Sequence, residues 1–114
     1  MKHQKNNPDL IKVQHMITAL EELFSFIGRK KRKDLDRDRM LALSIVKEIE
    51  IVGEAASQIS DKFKQLHHDI PWQDMVDIRN RLIHGYGDIN YDIVWSTIVK
   101  DLKPLLRHLK SCIE

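Results

Sequence analysis

The chain has 114 residues, 42% of them hydrophobic and 32% charged, with a net charge of +2 when the histidines are neutral. That is enough for one domain with a modest core, and it excludes a disordered or fibrous chain. A net charge this small does not by itself argue for nucleic acid.

Further exclusions come from individual segments. No apolar run approaches the length needed to span a bilayer, so no membrane association is expected. The basic start, Met1-Lys2-His3-Gln4-Lys5-Asn6-Asn7, has no apolar segment behind it and does not read as a signal peptide. Cys112 is the sole cysteine, which excludes a disulfide framework and a Cys-based metal site. The expectation is a cytoplasmic all-α protein, a single helical domain over 1–114, with residues 1–7 as a flexible tail.

Four helices and no strand are predicted. The first begins at Asn7-Pro8-Asp9: Asn suits the N-cap, Pro the first helical position and Asp the positive helix end. Leu10, Val13, Ile17, Leu20, Phe24 and Ile27 recur by threes and fours and form one apolar stripe. Gly28 then ends the helix. Arg29, Lys30, Lys31, Arg32 and Lys33 follow as a run of five cations, and Asp34, Asp36 and Asp38 come directly after. Such a run reads either as a solvated loop or as an arm contacting RNA or a partner, with a contribution that falls with salt.

The second helix is predicted as one long element from about Asp36 to Phe63. Leu41, Ile45, Ile49, Val52, Ala56, Ile59 and Phe63 share a face, which Ala42, Val46 and Ile51 widen. This much apolar surface implies more than one neighbour, a second protomer among the candidates. Gly53 sits mid-helix at a cost of up to about 1 kcal/mol relative to Ala. Close approach of another backbone would compensate for it.

Pro71-Trp72 opens a third helix expected to run to about His84, with Gly85 as its stop. The fourth starts near Asn90 with the stripe Trp95, Ile98, Leu102, Leu105, Leu109 and Cys112. Pro104 lies inside it and should kink it or leave a carbonyl near Lys100 unpaired. The whole reads as an up-down four-helix bundle.

The chemistry concentrates in Arg79-Asn80-Arg81-Leu82-Ile83-His84-Gly85-Tyr86. Arg is a permanent cation that forks onto phosphate. His both takes and gives a proton near neutrality. Phosphodiester cleavage without a metal needs those two properties. On a continuous helix Asn80 and His84 would share a face, whereas Arg79 would lie about 140° round from His84. Two copies meeting across a dimer axis would ease that angle. At a helix C-terminus the dipole favours the imidazolium form of His84. The same residues admit a purely structural reading, in which Arg79 and Arg81 pair with Asp74, Asp77 or Asp88 and His84 caps the helix. Glu50 and Glu54 lie one turn apart, but no further ligand joins them, so no metal site is expected. Glu54 either pairs with an arginine of the motif or faces solvent. His67 and His68 read as loop residues, and Trp72 and Trp95 as core or interface anchors.

The flanking residues carry a resemblance. Pro71-Trp72, the motif Arg-Asn-x-x-x-His-x-Tyr from Arg79 to Tyr86, Val94-Trp95 and the upstream Ile49-Glu50-Ile51-Val52-Gly53-Glu54-Ala55 resemble the HepT-like branch of the HEPN superfamily from about Ile17 to Lys110. The resemblance implies a homodimer or higher oligomer with both motifs facing a composite cleft. It implies a metal-independent endoribonuclease toxin, using no cofactor, with Arg79 and His84 catalytic and Asn80 positioning the phosphate. It also implies a toxin–antitoxin pair, in which a small MNT-domain nucleotidyltransferase uses ATP to attach AMP to Tyr86. Two other readings stand beside it: a non-catalytic HEPN module that holds a nucleotidyltransferase or RNA, and a structural helical dimer.

Overall fold

Asn7 starts the first helix as its sequence predicts. In the computed structural model, which describes residues 7–84 and 88–113, its side-chain oxygen accepts from the Asp9 N–H at 2.8 Å, so α1 runs from Pro8 to Ile27. Apart from Asn7, the predicted tail lies outside the described residues, as do Gly85, Tyr86 and Gly87. Asp9 does more than favour the helix end. Its carboxylate accepts from the Ser60 N–H at 2.8 Å and from the Ser60 hydroxyl at 2.7 Å. The start of α1 is thereby tied to the far side of the next long helix.

The predicted second helix is three helices. α2 spans Arg32–Arg37, α3 Arg39–Ser57 and α4 Asp61–Leu66. The breaks have local causes. Asp38 adopts an extended backbone and caps α3, its side chain accepting from the Leu41 N–H at 3.0 Å. Ser60 caps α4 by accepting from the Phe63 N–H at 3.2 Å. Both residues form competing side-chain bonds to backbone, the property that makes Asp and Ser caps rather than interior residues. The apolar face survives the breaks, and every residue from Leu41 to Phe63 placed on it is buried.

α5 spans Trp72–Leu82. It stops two residues before the predicted end. Ile83–His84 and Asp88–Ile89 instead form β1 and β2, a two-residue antiparallel pairing of Ile83 with Ile89 and His84 with Asp88. Among the described residues the regular structure is helical apart from this short ladder. The last helix begins as α6, Tyr91–Thr97, where the Asn90 side chain accepts from the N–H groups of Asp92 and Ile93. A π-helical turn, Ile98–Leu102, joins it to α7, Lys103–Cys112. Pro104 explains the turn. It cannot donate to the preceding helix, and a widened turn is one of the standard ways for a helix to absorb that loss.

The long elements pack in the order α7, α1, α3, α5, with α2 and α6 packed together across one end. One core joins them, in which Met16, Leu20, Leu23, Ile45, Leu82 and Leu109 are almost wholly enclosed. Trp72 anchors α5 in it: its ring meets Phe63 edge-on at 6.0 Å, and its indole N–H donates to the His67 carbonyl at 3.0 Å. Trp95 is half-buried against the same core. Among the described residues no helix is long and apolar enough to cross a membrane.

Candidate active site

Gly53 positions the site. A Cβ there would lie 2.8 Å from Arg79 Cβ and 3.1 Å from the Met75 carbonyl oxygen. The absence of a side chain is what lets α5 lie against α3 at this level, so the compensating contact comes from α5 of the same chain. The glycine that costs α3 some propensity thus fixes where Arg79 leaves its helix.

From there the Arg79 side chain reaches back over α3. Its Nη1 donates to Glu54 Oε2 at 2.7 Å. Nε and Nη2 face Asn80 Oδ1 at 3.4 and 3.3 Å, contacts that orient more than they bind. Gln58 Nε2 donates to the other Glu54 oxygen at 3.2 Å. The result is a polar chain, Gln58–Glu54–Arg79–Asn80, across the α3–α5 edge. Glu54 is the more exposed partner, with 61% of its side chain accessible against 29% for Arg79. An exposed pair of this kind contributes little to stability. Its effect is to hold a guanidinium in one place, beside a groove of about 390 Å³ that Arg79 also lines.

The structure therefore brings Arg79, Asn80 and Glu54 together. It does not bring Asn80 and His84 onto one helix face, because α5 has ended at Leu82 and His84 stands in the β1 ladder. The 140° separation and the helix-dipole argument at His84 both presume a helix that the chain has already left. The ladder pairs Ile83 with Ile89 and His84 with Asp88, so the backbone here finds its partners across the ladder in place of a further helical turn. The His84 side chain and all of Tyr86 lie outside what is described.

The basic run divides. Arg32 is not a free cation: Nε donates to Asp92 Oδ1 at 2.8 Å and Nη1 to Asp36 Oδ2 at 3.1 Å, and the guanidinium lies over the Tyr91 ring at 5.8 Å. The reading of the run as a solvated loop fails from Arg32 on, because Arg32 and Lys33 lie on α2, which packs on α6 and carries Arg32 to Asp92. Arg29, Lys30, Lys31 and Lys33 are exposed. Glu54 is engaged with Arg79 and Gln58, and among the described residues no group of three or more His, Cys, Asp or Glu is placed to hold a metal ion.

Two groups escaped the sequence reading. Glu48 is buried on α3, and burial, then a hydrogen bond and the charge of Glu22, push its carboxyl up to about 7. A glutamate among α3's apolar positions was a visible signal, but its partner on α1 was not. Gln58 is the other, four residues after Glu54 and so on the same helix face. Cys112 is inert: burial, then Asp69, raise its thiol to about 11, so the thiolate is scarce at neutral pH.

An all-helical bundle with a motif arginine held at the edge of α5 is consistent with a HEPN-like helical bundle. The sequence matches the family described as Ribonuclease HepT-like over residues 16–112, nearly the whole chain, and this chain belongs to that family. It is 29% identical over 102 residues to a protein of Caldanaerobacter subterraneus subsp. tengcongensis named "Putative RNase", covering 90% of this chain and 91% of the relative. It is 30% identical over 93 residues to the "Probable ribonuclease HepT" of Thermococcus cleftensis, covering 82% of this chain and 84% of the relative. A "Putative RNase" of Methanocaldococcus jannaschii is 30% identical over 83 residues, 68% of this chain and 76% of that one. No solved structure matches the chain at a significant level.

Proposed function

We propose that this chain is a metal-independent endoribonuclease, the toxin of a HEPN/MNT toxin–antitoxin pair. The observation that carries this reading is the motif arginine: Arg79 is held by Glu54 and Asn80 at the rim of a groove, in a chain of the HepT-like ribonuclease family. In the proposed reaction a ribose 2′-oxygen attacks the adjacent phosphorus and the bond to the 5′-oxygen breaks. His84 takes the 2′-hydroxyl proton or gives one to the leaving 5′-oxygen. Two copies in a dimer divide those roles. Arg79 stabilises the charge that develops on the phosphorane, exchanging part of its contact with Glu54 for the phosphate. The products are a 2′,3′-cyclic phosphate and a 5′-hydroxyl.

Control falls to Tyr86. A nucleotidyltransferase antitoxin transfers AMP from ATP to its hydroxyl and releases pyrophosphate. The added phosphodiester places a bulky anion two residues from His84, which blocks substrate and competes for Arg79. This chain itself uses neither metal nor cofactor.

The test is cleavage of a labelled RNA by the purified chain in EDTA. Cyclic-phosphate ends and loss of cleavage in His84→Ala support the reading. Cleavage that needs a divalent ion, or that survives His84→Ala, overturns it. For control, incubation with the antitoxin and ATP should add the mass of one AMP to the wild type and none to Tyr86→Phe.

A further inference from the structure

The groove beside Arg79 is built by three helices. α1 contributes Lys12 and His15, α3 contributes Lys47, Ile51 and Glu54 among others, and α5 contributes Arg79. Lys12 and His15 are three apart and so face the same way from α1. His15 and Lys47 are exposed, and Lys12 is half-buried. Neither lysine forms an ion pair among the described residues. Two carboxylates line the groove, but Glu54 is already paired with Arg79. Glu50 is the other. The lining therefore holds two lysines without an ion pair and a histidine against one uncommitted carboxylate. Ile51 and Ala55 add apolar surface to it. Its volume is about 390 Å³, in the range of pockets that take small ligands.

A groove lined by lysines from two helices and by apolar side chains suits a ligand that repeats a negative charge and carries a flat apolar face. We infer that this groove is the track for a single-stranded nucleic-acid segment next to the phosphate held by Arg79, with Lys12 and Lys47 contacting flanking phosphates. The inference rests on the ribonuclease reading for its orientation, and it adds a binding surface outside the Arg79–Tyr86 motif. Ligation of phosphates by lysine is sequence-independent and salt-dependent, so the groove sets affinity for the strand and leaves its sequence unread.

The test uses the full chain and a fluorescein-labelled 2′-O-methyl oligouridylate, which lacks the nucleophilic hydroxyl and stays intact. Anisotropy titrations at several salt concentrations give affinity and its salt slope. Each phosphate contact to a single strand contributes a slope of about 0.7, so Lys12→Ala/Lys47→Ala should flatten the slope by about 1.4 and weaken binding roughly tenfold at low salt. Lys103→Ala, on an exposed residue of α7, should change neither. In cleavage assays the double variant should raise KM for a long RNA and leave kcat unchanged. Unaltered affinity and slope in a double variant with a native circular dichroism spectrum overturn the inference. So does unaltered affinity with a shifted oligomeric state, which would make the groove a contact between copies. Salt-dependent binding that needs Lys12 and Lys47 in a protein that cleaves nothing upholds the groove and removes the ribonuclease reading. Cleavage indifferent to both lysines does the reverse.

Discussion

Arg32 and Arg79 expose nearly the same fraction of their side chains, 33% and 29%, yet their surroundings differ. Arg32 sits where α2 meets α6, between two carboxylates and above the Tyr91 ring. Its hydrogen bonds to Asp92 and then to Asp36 push its pKa up still further. Arg79 sits where α5 meets α3, with one carboxylate and one neutral amide. Two carboxylates surround the Arg32 guanidinium with more negative charge than its own and make it a tie between helices. One anion and an amide orient it and leave capacity for another anion. The contrast separates a structural arginine from a candidate catalytic one without reference to the motif.

The sharpest way to break this comparison is to truncate each arginine. Arg79→Ala should lower RNA cleavage by about 10²–10³-fold, the usual effect of losing a group that stabilises charge in the transition state. Equal losses from Arg79→Ala and Arg32→Ala in a cleavage assay would erase the distinction.

Gly53→Ala comes next. Gly to Ala inside a helix normally stabilises by about 1 kcal/mol. Here the added Cβ meets Arg79 Cβ at 2.8 Å, and overpacking of this kind costs about 1–3 kcal/mol. Denaturant unfolding should show a net loss, and cleavage should fall with it as Arg79 moves. A more stable variant would mean that α5 shifts freely.

Glu54→Ala tests how Arg79 is held. A hydrogen bond to a charged group is worth about 1.5–3 kcal/mol at most in a favourable setting. At this exposed pair, roughly a tenfold loss of kcat/KM is expected, with an unchanged melting temperature. A rise in activity would show that Glu54 competes with substrate more than it positions Arg79.

Glu48 offers the corresponding contrast between carboxylates. Glu54 faces a cation, and Glu48 faces Glu22. A carboxyl raised from 4.5 to about 7 holds more proton in the folded chain than in the unfolded one across that interval. Stability contributed by this group is therefore present at low pH and lost as pH rises towards 7, at up to about 1.4 kcal/mol per pH unit. Glu48→Gln should flatten the pH dependence of the unfolding midpoint between those values. The smallest effect is expected of Arg32→Ala, which should leave cleavage within about twofold, as for most surface positions away from a site.

Much of this was legible in the chain. The stripes of α1 and α3 and the caps at Asn7 and Asn90 follow from periodicity and side-chain chemistry within a few residues, so sequence reading reaches them. Pro104 announced a disturbance, and the structure gives it the form of a π-helical turn over Ile98–Leu102. Gly53 announced a close approach without naming Arg79 as the neighbour. The long second helix was read as continuous because one apolar face runs through it, and the caps at Asp38 and Ser60 carry no period that would reveal the breaks. The end of α5 was misplaced for a related reason: Gly85 reads as a strong stop, while the pairing of His84 with Asp88 competes with the helix from further along the chain.

Local sequence determined where most helices begin, which faces are apolar and which four residues form the motif, because those properties depend on neighbours three or four positions away. Only the tertiary structure decided that Arg79 meets Glu54, that Arg32 meets Asp92, that Glu48 meets Glu22, and that Lys12 and Lys47 border the same groove. These partners lie on different helices, and their meeting depends on how the helices rotate and slide when the core closes. Charge attraction between exposed groups is too weak to set that rotation. Burial of the apolar faces sets it, and the polar partners follow.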